Sequence, residues 1–369
     1  MRNSNMSEPF KEAALPPLYA KWLREITGGP IPAETRATCD QCAMLTVEGA
    51  SPATIHFHPE TKCCAYQPSF PNFLVGRILA DADPQRQPGR EILEHRIQQR
   101  ARVSLCGIGS HSAFGLLYTH TPNAFGRAPA WKCPHLADDG GCGVWHHRPG
   151  VCATWFCKHV RGETGFRFWQ LTAKLLREVE HDLELWCASR LSTSPGEWNG
   201  LEAEFVNRPD VSELGGEIDW KVYRAAWGAW AGREAEYYKA CATLVEPLGW
   251  DQVLTACGPR AGILAQLVRD AFDHLTSTNI PERLSLGKVQ LAGMVNGKYF
   301  AVAYSHYDPL AMPSELIGAL PYFDGRTVED ALAGILADKN IRVAVPLVRK
   351  MMDFGILKAS DTGPFAILE

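Results

Sequence analysis

Residues 131–159 read WKCPHLADDGGCGVWHHRPGVCATWFCKH. The stretch carries four cysteines, Cys133, Cys142, Cys152 and Cys157, separated by eight, nine and four residues. Between them stand turn formers (Pro134, Gly140, Gly141, Gly143, Pro149, Gly150) and bulky aromatics (Trp145, Trp155, Phe156). So many breakers exclude one long helix or a regular strand. A loop-rich, tryptophan-rich segment needs something to hold it in place. Thiolates on a metal centre would do so, because the free energy of metal binding then becomes folding free energy.

Four more cysteines lie upstream. Cys39 and Cys42 form a C-x-x-C within TCDQC, and Cys63 and Cys64 are adjacent at the end of TIHFHPETKCC. A thioredoxin-like redox pair needs a strand before its C-x-x-C and a helix after it. Pro30 and Pro32 do not read as that strand. His56 and His58 alternate with Ile55 and Phe57, which predicts a short strand with the histidines on one face. In a loop, the thiols of Cys63 and Cys64 can reach one centre, or each can serve a different one. The expectation is that Cys39, Cys42, Cys63, Cys64, Cys133, Cys142, Cys152 and Cys157 are metal or iron–sulfur ligands. Of the remaining cysteines, Cys106 reads as a buried thiol in an apolar strand, Cys187 and Cys241 as helix-core residues, and Cys257 has no partner spacing.

The residues around the central cysteines have uses beside a thiolate centre. Glycines let backbone N–H groups approach sulfur, and Trp and Phe shield a cluster from water. Arg148, Lys132 and Lys158 could offset thiolate charge, and His135, His146, His147 and His159 are alternates for a ligand position.

Taken together, C-x-x-C at Cys39 and Cys42, the Cys63–Cys64 pair, Cys133 opening C-P-H-L, Cys142, the Arg148–Pro149 step, and Cys152 with Cys157 as C-x4-C resemble the YkgJ-type cysteine-cluster family. The resemblance covers roughly residues 35–160. It implies zinc or iron chelation, and no reaction. One departure is the insertion of residues 43–62 between the C-x-x-C and the adjacent pair, which in the family's compact form lie only a few residues apart. A flagellin lysine methylase uses a related cysteine cluster, so the resemblance distantly implies methyl transfer.

The choice between zinc and iron turns on spacing. Four-cysteine zinc sites usually show two close pairs. Here one C-x-x-C is followed by irregular gaps, which an iron–sulfur cluster accommodates because it is wider than one ion. The aromatic shielding also favours iron. The expected cofactor is an iron–sulfur cluster, 4Fe-4S, with zinc as the alternative, in one centre or two.

Composition narrows the setting. The 369 residues are 46% hydrophobic and 21% charged, and 37 Lys plus Arg against 41 Asp plus Glu leave a net charge of −4. That balance disfavours nonspecific nucleic-acid or anionic-membrane binding, which needs a basic excess. Neither an apolar run long enough for a membrane span nor the apolar core of a secretory signal is visible, so the expected compartment is the cytoplasm. Twelve cysteines in that setting point to metal or catalysis before disulfides.

The rest of the chain predicts an α+β fold, mainly α: a loop-rich cysteine-cluster domain (1–165) packed on long helices (166–280), with a small winged-helix-like domain (281–369). A helix is expected over PLYAKWLREI up to Gly28, another from Pro71 with Asn72–Leu79 on its apolar face, and an exposed helix within 82–100. Phe168, Leu171, Leu175, Leu176, Val179, Leu183 and Trp186 form a helical stripe. Residues 197–218 read as a loop or short helix. Asp219 is placed to cap one helix running through Trp220, Tyr223, Trp227, Trp230 and Tyr237 to Val245, and a further helix follows Pro259. Asn296-Gly297 between two alternating runs predicts a hairpin. Ser314 and Thr327 are expected helix caps, the latter with Asp330 at the reciprocal position. A last helix, VPLVRKMMDFGIL, is expected to end at Gly355.

Residues 285–369 bear a weaker resemblance to a winged-helix or PqqD-like peptide-recognition module, carried by DGRTVEDAL and LVRKMMDFGIL. It implies a protein or peptide partner. Arg349 and Lys350 are too few for a phosphate footprint, so DNA is not favoured. The leading reading is a metal-binding protein without an assigned reaction. The alternative is a cluster-containing modifying enzyme, such as a protein or peptide methyltransferase. Against that alternative stand the lack of a glycine-rich nucleotide loop, of a C-x3-C-x2-C triplet and of a Ser/His/Asp set. Binding of S-adenosylmethionine would separate the two.

Overall fold

A computed structural model describes residues 11–45, 55–191 and 220–360 of the chain. The described residues are mainly helical with three small sheets. Helix α1 (Pro17–Thr27) begins on a proline, whose missing N–H costs nothing at a helix start. It buries Leu18, Tyr19, Trp22, Leu23 and Ile26 at helical spacing, and it ends at Gly28, whose φ of 71° suits a residue without a Cβ. The Trp22 indole donates to the Leu248 carbonyl at 2.9 Å, so this first helix is tied to the far end of the helical region.

Helix α2 (Asn72–Ala80) follows a two-residue strand, β1 (Phe70–Pro71), as the apolar run from Asn72 predicts. Helix α3 (Gln87–Gln99) is less exposed than its charge suggests, since Leu93 and Arg96 are buried. The next segment makes two short strands, β2 (Val103–Ser104) and β3 (Gly107–Ile108), in the order β1-β3-β2. Cys106 sits in their turn, half-buried, and not in a buried strand. Helix α4 (Ser112–His120) and the five-residue α5 (Gly150–Thr154) flank the long loop between them. Helix α6 (Gly162–Leu191) carries the predicted stripe, with Phe168, Leu175, Leu176, Val179 and Leu183 buried together with Cys187.

The single helix expected over Trp220–Val245 is broken. Helix α7 (Trp220–Trp227) gives way to a 3-10 turn (Gly228–Trp230), and α8 (Glu234–Val245) starts afresh. Gly228 and Gly232 adopt φ of 52° and 82°, which the helix cannot continue through. Trp227, Tyr223 and Tyr237 are buried as the aromatic stripe predicts, whereas Trp220 is exposed. The expected element at 197–218 and the cap at Asp219 lie outside the described residues. Helices α9 (Trp250–Cys257) and α10 (Pro259–Thr276) complete the helical layer; Cys241 is core and Cys257 half-buried.

One hydrophobic core joins these parts, drawing Trp22 from α1, Phe73 from α2, Leu93 from α3, Trp169 from α6 and Val268 from α10. Residues on both sides of position 165 therefore share it. A second core holds residues 284–357. There β5 (Gln290–Val295) and β6 (Lys298–Val302) form the predicted hairpin, Val295 facing Lys298 across Asn296 (φ 51°) and Gly297 (φ 74°). Strand β7 (Leu310–Pro313) adds to β6, while β4 (Leu284–Leu286) pairs with β8 (Leu357–Ala359). Ser314 is the first residue of the short α11 (Ser314–Ile317) and not its cap; Pro313 holds that position, and a separate 3-10 turn takes Leu320–Phe323. Thr327 caps α12 (Val328–Lys339) as expected, its hydroxyl accepting from the Asp330 N–H at 3.1 Å. Helix α13 (Val345–Asp353) stops two residues short of Gly355.

The two cores are clasped by ion pairs whose carboxylates are buried. Arg161, just before α6, makes a two-pronged contact with Asp353 at 2.6 and 2.8 Å and also donates to the Leu275 carbonyl. Arg36 does the same with Asp308 at 3.0 and 2.8 Å. No helix among the described residues is long and apolar enough to cross a membrane.

Candidate metal centre

The loop that carries the central cysteines is shaped by short-range hydrogen bonds. A 3-10 turn at Pro129–Trp131 leads to Cys133, whose N–H donates to the Cys64 carbonyl at 2.7 Å. That bond joins the upstream adjacent pair to the downstream stretch. The chain then doubles back: Leu136 bridges Cys142, and Gly143 N–H donates to the His135 carbonyl at 2.9 Å. Cys133 and Cys142 are thereby brought to opposite arms of one tight loop. A second 3-10 turn, Trp145–His147, and then α5 carry the chain to Cys152. The loop lies hard against α3; a Cβ on Gly89 would sit 2.4 Å from the Gly143 carbonyl oxygen.

Cys42, Cys63 and Cys157 meet elsewhere in the same region. They pack with Met44 and Phe57 under Phe125, Trp155 and Tyr307. The aromatic rings contact each other edge-on, with centroids 5.6 Å apart for Phe57–Phe125 and 5.2 Å for Phe125–Trp155. The strand predicted around His56 and His58 does not form. Phe57 N–H bonds to Met44 and His58 N–H to Gly126, two unrelated segments, so no ladder can propagate. Cys39 lies at the edge, and the Lys62 ammonium donates to its carbonyl at 2.8 Å.

The thiols feel one another's charge. Burial, with added contributions from charge at Cys64 and Cys142, pushes Cys133 up to about 12. Burial likewise raises Cys142 and Cys39, with Cys64 adding to both. It raises Cys157 to about 11, with Cys42 the next cause. Cys63 and Cys64 hydrogen-bond to each other; the bond favours the proton on Cys63, and Lys62 and Arg148 favour thiolate at Cys64. Cys152 combines two properties. It retains accessible surface, yet burial is the largest cause that raises its thiol, followed by Cys133, Cys142 and Cys64.

Arg148 runs through this arrangement. It is buried, stacks at 3.5 Å on the Trp145 ring, and donates to the carbonyls of Trp145 (3.1 Å) and Ala14 (2.7 Å). Burial lowers its pKa, while thiolates at Cys142, Cys152, Cys39 and Cys64 would support its charge. Its Nε is buried with no hydrogen-bond partner among the described residues. Lys158 lies beside Cys157 and lowers that thiol, whereas Lys132 turns outward to Asp138 at 3.5 Å.

The histidine alternates divide. His147 is committed to Asp81, Nε2 to Oδ2 at 2.7 Å, and His146 is exposed. His135 packs edge-on against Phe70, and His159 between Phe166 and Tyr304; burial lowers both to about 4, so each is neutral. Their Nδ1 atoms are buried without partners, as is that of His56. Among the described residues, none of these Nδ1 atoms hydrogen-bonds to a thiol. The residues that sequence reasoning missed are Lys62, Phe125, Tyr307 and Asp308. Lys62 directly precedes the adjacent cysteines, and that position was the available signal. Tyr307 and Asp308 lie about 150 residues from Cys157 and carry none.

Among the described residues, no group of three or more His, Cys, Asp or Glu side chains stands ready-made to hold a metal ion. The donor set itself fits iron–sulfur or zinc chemistry: soft sulfur ligands in aromatic surroundings, with cations to offset their charge. Compared with known family models, curated proteins and solved structures, the chain gives no significant match.

Proposed function

We propose that the chain is a cytoplasmic metal-binding protein of YkgJ type, holding an iron–sulfur cluster, or zinc, through Cys39, Cys42, Cys63, Cys64, Cys133, Cys142, Cys152 and Cys157. The observation that carries the reading is that cysteines from distant parts of the 119 residues between Cys39 and Cys157 are drawn into one loop-built region: Cys133 N–H bonds to the Cys64 carbonyl, Leu136 bridges Cys142, and Cys42, Cys63 and Cys157 share one apolar cluster. The other four cysteines lie outside that region; Cys187, for one, meets Cys241 in the helical core. Burial raises the thiols of Cys39, Cys133, Cys142, Cys152 and Cys157, and neighbouring cysteines add to each; Cys63 is raised by its hydrogen bond to Cys64 and then by burial. Packing alone does not call for that penalty. A bound cation reverses that penalty by favouring the thiolate at each position.

In such a centre the cysteine thiolates would ligate the metal, which would supply a structural role and, with iron, electron transfer. The chain's own residues do the rest. Trp155, Phe125 and Tyr307 exclude water, the loop hydrogen bonds fix Cys133 against Cys64, and Arg148 places a guanidinium beside the sulfurs. The C-terminal unit is the surface for a protein or peptide partner.

Anaerobic purification followed by visible spectroscopy tests the reading. The protein is expected to be brown, with a broad thiolate-to-iron band that Cys152→Ala abolishes. Colourless protein with stoichiometric zinc would reject iron and keep the site. Protein that retains neither metal after reconstitution would overturn the proposal.

A further inference from the structure

We propose that Cys187 and Cys241 form an oxidation-sensitive thiol pair, which a two-electron oxidant of the peroxide class closes into a disulfide between α6 and α8. The inference is independent of the metal-binding reading, which draws on neither residue.

Geometry carries the pairing. Both side chains are fully buried in the main hydrophobic core, Cys187 on α6 and Cys241 on α8. The Cys187 thiol donates toward the backbone of its partner, with Sγ 3.8 Å from the Cys241 carbonyl oxygen, and the two thiols hydrogen-bond to each other. Contact of that kind requires the two helices to pack closely. Helices whose axes lie about 8–10 Å apart, each with Cα atoms about 2.3 Å off its axis, bring facing Cα atoms to roughly 3.5–5.5 Å. A disulfide needs roughly 4.4–6.8 Å between Cα atoms, so the two ranges overlap.

The hydrogen bond to Cys241, and then burial, keep the Cys187 thiol protonated, so the pair is inert while the core is closed. Oxidation therefore proceeds through local opening of the core. Peroxide oxidises one thiol to a sulfenic acid and releases one water. The second thiol attacks that sulfur, forms the S–S bond and releases another water. In sum, the two thiols give up two electrons and two protons, and the peroxide becomes two waters. Because the sulfurs are already neighbours in the folded chain, the second step is intramolecular and outruns encounters with distant thiols.

The bond joins positions 54 apart in the chain. A loop of that length restricts the unfolded chain more than a short one does. It also pins α8 to α6, and α8 is the helix whose Tyr237 and Tyr238 hold the β2–β3 turn through the carbonyls of Ser104, Leu105 and Gly107.

The test treats the full-length protein with hydrogen peroxide, blocks the remaining thiols in denaturant, digests without reduction and maps the peptides by mass spectrometry. A peptide pair joined through Cys187 and Cys241 is expected, and dithiothreitol should separate it. Oxidation should also raise the melting temperature of wild type by several degrees relative to its effect on Cys241→Ala, the control for oxidation elsewhere. The peptide map needs no substitution and decides the matter if that variant does not fold. Recovery of Cys187 and Cys241 as free thiols at peroxide concentrations that oxidise the loop cysteines would overturn the proposal. So would their conversion to sulfinic acids, or pairing of either with another cysteine such as Cys106.

Discussion

Arg148 is where the site is most exposed to a single substitution. Its guanidinium stacks on Trp145, reaches two carbonyls and lies among four thiols. Lysine supplies the charge but neither the planar stack nor the fork of donors. Arg148→Lys should therefore lower metal retention several-fold and destabilise the fold by about 1–3 kcal/mol, read by metal analysis and urea unfolding. Unchanged metal content would show that the guanidinium does not serve the centre. Glu180, which meets the start of the helix that carries Cys152, provides a second test at this scale. Its Oε1 accepts from Gly150 N–H at 2.6 Å and from the Tyr19 hydroxyl, and burial pushes its carboxyl up to about 7. An unfolded glutamate titrates near about 4.3. Between those values the folded state holds a proton that the unfolded state has released, so this group makes stability fall as pH rises, and the loss is complete above about 7. The cost is roughly 4 kcal/mol at most. Glu180→Gln keeps the acceptor oxygen and removes the charge. It should be as stable as wild type near pH 5 and more stable at pH 8, as denaturant titrations at the two values would show. At residue scale the cysteines were legible because their chemistry is written in their spacing. Arg148 was legible as a cation in their midst. Its stacking on Trp145 and its bond to Ala14 were not, because neither follows from position in the chain.

Among elements, the closest approach is between α2 and α8. A Cβ on Gly76 would fall 1.8 Å from the Tyr238 carbonyl oxygen, so backbone meets backbone there. Asn72, at the start of α2, donates to carbonyls of Leu105 and Glu184, and Tyr237 and Tyr238 of α8 donate to carbonyls at 104, 105 and 107. The small β2–β3 turn is held by these side chains. Gly76→Ala forces the helices apart. It should cost at least about 1–3 kcal/mol, measured by urea denaturation, and wild-type stability would refute the close approach. The helices α1, α2, α6 and α10 were readable from apolar periodicity and from their proline and glycine boundaries. The break at Gly228 and Gly232 was missed because the aromatic stripe continues across it: Trp227, Trp230 and Tyr237 keep helical spacing while the backbone turns. The strand expected at His56 and His58 failed for the opposite reason. Alternation was present, but the neighbouring backbone that would pair with it was not.

Across the whole molecule, the C-terminal unit closes over the cysteine region. Asp308 accepts from both Arg36 nitrogens and from the His159 N–H at 3.1 Å, its side chain is fully enclosed, and Tyr307 joins the wall around Cys157. Asp308→Ala leaves Arg36 without its partner. The cost should be roughly 3 kcal/mol, at the lower end for a buried pair because Arg36 stays partly exposed to water. The same change should speed alkylation of Cys157 in metal-free protein while leaving Cys187 unreactive. Equal rates at Cys157 in wild type and variant would show that the clasp does not protect the site. This long-range closure had no signature in the chain, since residues 149 positions apart meet only after both units have folded.

The central claim is that sulfur from Cys39 through Cys157 grips an inorganic centre. X-ray absorption at the iron and zinc edges of protein isolated without oxygen tests it most directly. A first shell of sulfur at about 2.3 Å is predicted, with neighbouring metal scatterers if the centre is iron–sulfur. A shell of oxygen or nitrogen alone, or no metal at either edge, would contradict it.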